Sequence, residues 1–253
     1  MISISFDLPA IVFAAALVFA RMGAILMLLP GFGEPFVPVR IRLSFALAFA
    51  FAVGPVIAPS LPPQPETMSG LVGFMLAELV TGLMIGAAAR LFLAAASVAG
   101  QVIGYQSGMA MAQAFDPAQG QSGALPAAFL NILFITLIFT TNLHHMLLQA
   151  AVGSYALMPA GAEPLWGDAA QWALDLFISA FTIGIQLAAP LILFGLVFYL
   201  GLGVLSRMMP QVQIFFVAMP VNILIGFTIF ALALGTMATV WLERFESFAA
   251  NLM

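Results

Sequence analysis

The chain has 253 residues, of which 64% are apolar and only 6% charged, with a formal charge of −4 and no cysteine. Soluble chains are about 25% charged, so a water-soluble globule is excluded. The absence of cysteine removes disulfides, thiolate metal sites and cysteine nucleophiles together, and the six basic residues, all arginine, form no basic nucleic-acid surface.

Charge-free runs at Leu43–Pro65, Leu91–Phe115, Leu176–Ser206 and Met208–Leu242 each exceed the roughly 20 apolar residues that cross a hydrocarbon core. They are continuous and do not alternate, which points to helices and away from an outer-membrane barrel. The predicted fold is therefore all-α and polytopic, a single domain over residues 1–253, with six helical segments at about 9–29, 40–58, 71–98, 126–150, 173–206 and 211–242. The first is expected to be a retained helix and not a cleaved signal, because Met1–Leu8 carries Asp7 and lacks a basic start. Breaks rich in Pro and Gly follow at Pro30–Gly33, Pro59–Pro65 and Met158–Gly167. Pro9 and Pro126 stand where a first-turn proline belongs.

The third segment leads into Gly100–Pro117, GQVIGYQSGMAMAQAFDP, which is too rich in Gly, Gln and Met for a lipid-facing span. Gly100, Gly104 and Gly108, flanked by Ala96 and Ala112, recur every four residues. On a helix they make a flat stripe against which another helix can pack closely. Ser97, Gln101 and Tyr105 form a weakly polar row beside it, suited to protein or water. Met109 and Met111, with Phe115, read either as plain packing or as a soft seal around a passage, since methionine is unbranched and deformable. Further along, a straight helix over Trp172–Ser206 would run about 50 Å against a hydrocarbon core of about 30 Å. It carries Pro190, and the sixth segment carries Pro220. Bent hairpins and steep tilt both account for such lengths. The arginines at 40, 42 and 207 place their loops in the cytoplasm by the positive-inside rule, while Arg244 points the other way.

Candidate chemistry is thin. Gly120-Gln121-Ser122-Gly123-Ala124 resembles the nucleophile motif of intramembrane serine proteases, yet Ser122 lies just before Pro126, where a capping or turn serine is ordinary. His144 and His145 are adjacent, so on a helix they project about 100° apart and do not share one metal. No metal and no cofactor is expected. One histidine is expected to bond a neighbouring helix near Asn142; a proton relay is the other reading. Arg21, Glu78 and Arg90 fall in or near apolar segments, where charges snorkel or pair, with a partner subunit as the sharper alternative. Glu34, Arg40 and Arg42 read as a solvated loop. A small-molecule secondary transporter would show paired broken helices and midplane polar groups; Pro190 and Pro220 point that way, but few ionisable residues are available for ion coupling.

Four stretches in order along the chain carry a resemblance. They are Phe19-Ala-Arg21-Met-Gly-Ala with Leu29-Pro30-Gly-Phe-Gly and Val37-Pro38-Val-Arg40-Ile-Arg42; Gly104-Tyr-Gln106-Ser-Gly108-Met with Phe115-Asp116-Pro117; Asn142-Leu-His144-His145 with Leu157-Met158-Pro159-Ala160-Gly161; and Arg207-Met-Met-Pro210-Gln211-Val-Gln213 with Pro220 and Gly226. Together they resemble the FliR family of type III secretion export-gate proteins over essentially the whole chain. The departures are Leu143 for a common glycine, Ser107 for methionine and Gln213 for asparagine. The resemblance implies a non-enzymatic, channel-forming subunit in the bacterial inner membrane and flagellar basal body. It would pack with FliP-like and FliQ-like subunits beside FlhA-like and FlhB-like components, and pass unfolded flagellar proteins. It further implies bent helical hairpins and a channel plug at Met109, Met111, Phe115 and Asp116. The face of Gly100, Gly104, Gly108 and Ala112 would pack on partners, and Arg207, Pro210, Gln211, Asn142 and His144 would carry the family motif. Pro220 followed by Gly226 favours the flagellar member over its injectisome counterpart.

Overall fold

The computed structural model describes residues 8–109, 125–161 and 166–252. These form α1 (Leu8–Leu28), α2 (Val39–Ile57) with a 3-10 turn at Ala58–Ser60, α3 (Met68–Gln106), α4 (Leu125–Thr140), α5 (Leu143–Leu157), α6 (Trp166–Met208) and α7 (Ile214–Ala250). No strand occurs among the described residues. Five helices are long and apolar enough to cross a membrane, or six if the bent pair α4 and α5 is one span. The all-α polytopic expectation holds.

Several boundaries differ from those expected, among them the start of α6 at Trp166 in place of about 173, and three have a physical reason. The third segment does not stop near residue 98 but runs to Gln106 as one helix of 39 residues, because Gly100 packs directly on Ala127, a contact that offsets its poor helix propensity. The fourth segment is two helices, not one, bent by 78° at a two-residue break. Asn142 there takes φ 60, a left-handed conformation that asparagine tolerates better than most side chains. The last helix runs on to Ala250 through Glu243, Arg244 and Glu246, charges that sit at its end.

The chain forms two compact units. The first comprises residues 1–91, 138–176 and 246–253. Its core is α1, with Leu17, Val18, Met22 and Ile25 fully buried at helical spacing. Half of the apolar window of α1 is buried, against 17% for that of α2, so α2 lies along α1 with most of its surface outward. Thr67 caps the start of α3, its Oγ1 accepting from the Gly70 N–H at 3.2 Å. The second unit comprises residues 92–137 and 177–245. Trp241 is its centre, stacked between Phe134 at 4.4 Å and Phe245 at 4.8 Å, with no exposed surface. Its indole N–H donates to the Phe92 carbonyl at 2.9 Å, which removes the cost of burying that polar group. In this unit α6 and α7 form a hairpin about Met209–Gln213. Tyr199 and Asn222, nearly equidistant from the turn, are hydrogen-bonded at 3.3 Å.

Candidate functional site

The end of α3 is the base of the segment singled out from the sequence. Gly100 is pressed against α4: a Cβ there would lie 2.2 Å from the Ala127 Cα, so no side chain fits. The flat stripe therefore serves α4 of the same chain at this point. Beside it, Asn131 Nδ2 donates to Ser97 Oγ at 2.8 Å, while Tyr105 is 70% exposed and Gln101 is exposed. The polar row is thus half internal and half outward. Gly104 is buried on the helix. Gly108 is also buried but lies past the helix: α3 ends at Gln106, and Gly108 turns the chain with φ +73, its N–H donating to the Tyr105 carbonyl at 3.2 Å. A glycine past the last helical residue is the usual left-handed stop. The stripe is interrupted there as a helical feature.

The corner Ser107–Gly108 is held by α7. Ser107 is fully buried and its hydroxyl donates to the Ile103 carbonyl at 2.7 Å. Gly226 lies so close that a Cβ on it would stand 2.5 Å from the Ser107 Cβ. The short Ser107 side chain and the bare Gly226 backbone meet here. Met109 follows, half-buried. Met111, Ala112, Phe115 and Asp116 lie outside the described residues, as does Ser122.

The remaining motif residues fall at two turns. Asn142 lies in the break before α5 and His144 in the first turn of α5; the His144 ring lies 5.0 Å from that of Phe139 and 4.1 Å from that of His145, its Nδ1 3.4 Å from the Ile138 carbonyl. The positive φ falls on Asn142, not on residue 143, so Leu143 is accommodated in the helix and buried. Arg207 is in the last turn of α6, where a cation opposes the helix dipole. Pro210 and Gln211 follow in the exposed turn. Phe215, Phe216 and Val217 are also exposed there, at 58%, 63% and 69%. No cluster of His, Asp or Glu fit to hold a metal occurs among the described residues.

The charged residues form a joint that sequence reasoning missed. Arg21 and Glu78, each 1% exposed, are bound in two parallel hydrogen bonds, Nε to Oε2 at 2.7 Å and Nη2 to Oε1 at 2.9 Å. Arg21 Nη1 also donates to the Met158 carbonyl at 2.8 Å and the Ser154 carbonyl at 3.3 Å. Its guanidinium lies 4.0 Å over the Tyr155 ring. Glu78 Oε1 accepts from the Gly161 N–H at 3.4 Å. One fork thus ties α1, α3, α5 and the turn after α5. Snorkelling and pairing with another subunit are both overturned for these two residues. Arg90 likewise meets Glu34 at 3.8 Å, and Glu34 is buried, so it is not part of a solvated loop. Arg42 Nη1 donates to the Gly33 carbonyl at 3.3 Å. The available signal was Gly82-x-x-x-Gly86, just after Glu78. A Cβ on Gly82 would come 2.5 Å from the Arg21 carbonyl oxygen, and one on Gly86 2.9 Å from the Leu28 Cβ. This spacing lets α3 approach α1 closely enough for the charges to meet.

Comparison with known proteins adds a different kind of observation. The profile of the family described as bacterial export proteins, family 1, matches residues 12–248. The chain is 42% identical over 235 residues to the flagellar biosynthetic protein FliR of Caulobacter vibrioides, covering 93% of this chain and 94% of that one. To the FliR protein of Escherichia coli it is 32% identical, covering 92% and 88%. To the Yop proteins translocation protein T of Yersinia pestis it is 30% identical, covering 73% and 71%.

Proposed function

Because the chain belongs to the bacterial export proteins of family 1, alongside the FliR proteins, we propose that it is a non-enzymatic subunit of the flagellar type III protein export gate. With FliP-like and FliQ-like subunits, and beside FlhA-like and FlhB-like components, it forms the inner-membrane channel at the flagellar basal body that passes unfolded flagellar proteins. The observation that carries this reading is the near full-length match to flagellar relatives. The lower identity and coverage toward the Yersinia relative make the injectisome the second reading. A single family match over residues 12–248 supports one export-gate domain.

In this role the segment from Met109 to Asp116, with Met111 and Phe115, is the gate. Support comes from its base: Gly108 and Ser107 are fixed on α7, so the segment starts from a rigid corner. Open space next to Gly54, Gly73, Gly201, Gly203 and Gly235, where an added Cβ would meet nothing within 4 Å, supports close approach by partner helices. The test is deletion of Met109–Gln113 in the assembled complex, read as ion conductance across a bilayer. The deletion is expected to leak while the complex still forms. Conductance equal to the intact complex would remove the gate assignment.

A further inference from the structure

Asn222 is buried where packing alone gives a polar side chain no reason to be. It is 4% exposed, on α7 among Val221, Ile223, Leu224 and Ile225. Its Nδ2 donates to the Tyr199 hydroxyl at 3.3 Å. The same nitrogen stands 3.0 Å from where a Cβ on Gly108 would be, so the amide fills the space a side chain at 108 would need. Among the described residues its buried Oδ1 has no hydrogen-bond partner. Buried polar groups are nearly always paired, and an orphan is a store of strain.

The neighbourhood of the orphan is specific. Asn222 and Gly226 are four residues apart and share one face of α7. That face meets Ser107 and Gly108, the corner at which the chain leaves α3 with φ +73. We propose that Asn222 is a latch on this corner. In the arrangement seen here its amide, braced by Tyr199, backs Gly108, and its unpaired end is held for the displaced corner, whose backbone supplies the missing partner. The latch thus has two discrete settings, one braced and strained, one displaced and paired. Asn222 is a positioning residue, and the proposal rests on the reading of the segment beginning at Met109 as the gate.

The two settings predict opposite effects for two substitutions in the assembled export complex. Tyr199→Phe removes the brace and is expected to raise leak conductance about five- to tenfold, the change in population that one lost buried hydrogen bond produces. Asn222→Leu, similar in volume but apolar, removes the orphan and the bond waiting for the displaced corner. It is expected to leave leak at or below wild type and to lower secretion of flagellar substrates about tenfold, with complex yield unchanged. A merely structural role would move both variants the same way, and that result overturns the latch. Wild-type leak and secretion in both, with a leaking Met109–Gln113 deletion, overturns the latch and keeps the gate. A deletion that does not leak removes the gate reading itself. If Asn222→Leu fails to assemble, Tyr199→Phe decides alone, and wild-type leak in it sinks the proposal.

Discussion

At the scale of single residues, the Arg21–Glu78 fork is the most consequential contact of the first unit. Two charges in an apolar setting cost much in lost solvation, and that cost is offset only while each has its partner. Glu78→Ala is therefore expected to destabilise the protein in detergent by about 3–5 kcal/mol, because it leaves Arg21 buried and unpaired. The double change Arg21→Met with Glu78→Met should lie much closer to wild type. Thermal denaturation of the three variants checks this, and a double variant less stable than Glu78→Ala would refute it. The pairing was not legible in the sequence. The two residues are 57 positions apart, and each, taken alone, is an ordinary charge near the end of an apolar run. The glycine pair at 82 and 86 was legible in principle, but it was eclipsed by the more conspicuous glycines that follow.

At the scale of elements, hydropathy located the apolar runs, took α4 and α5 for one helix and misjudged where others stop. Runs of apolar residues show that a helix exists, while its ends depend on local backbone chemistry. The break at Thr141–Asn142 contains neither glycine nor proline, so no breaker residue marked it; only the tolerance of asparagine for a positive φ permits it. The extension of α3 to Gln106 follows from packing that no window average contains. The same packing separates glycines that look alike in sequence. Gly100→Leu is expected to cost about 1–3 kcal/mol or more by forcing α4 away, since even a Cβ meets Ala127. Gly73→Ala, on the same helix but in open space, should be neutral or stabilising by up to about 1 kcal/mol. Pulse proteolysis of the detergent-solubilised variants measures both. Equal losses at the two positions would contradict the packing described for α3.

For the whole molecule, the feature to be explained is how much apolar surface faces outward. Phe51, Val56, Leu193, Leu224 and Leu232 are 65%, 74%, 66%, 71% and 80% exposed. Exposed apolar surface in this amount is covered by lipid or by other subunits. The absence of native cysteine makes the two covers separable, because any introduced thiol is a unique probe. Cysteines placed at 224 and 232 are expected to react with a soluble maleimide several-fold more slowly once FliP-like and FliQ-like subunits are co-assembled. Unchanged reactivity at both would show that these faces do not meet partners. Composition was enough to read the class of the molecule, and an ordered set of motifs was enough to read its family. Neither carries the side-chain networks around Arg21 and around Ser107, because those networks are written in positions that meet only after folding.

The Arg21–Glu78 fork also has a history in time. Arg21 leaves the ribosome 57 residues ahead of its partner, an interval of roughly 3 to 11 s at bacterial rates of about 5–20 residues per second. Through that interval α1 carries a cation whose burial at the centre of a bilayer costs about 2.5–3.5 kcal/mol. Its own apolar run cannot seat it fully until α3 delivers the carboxylate. Biogenesis of this chain therefore has an order: the first helix enters early and locks late, and a nascent chain halted between the two residues holds α1 with its charge still unanswered.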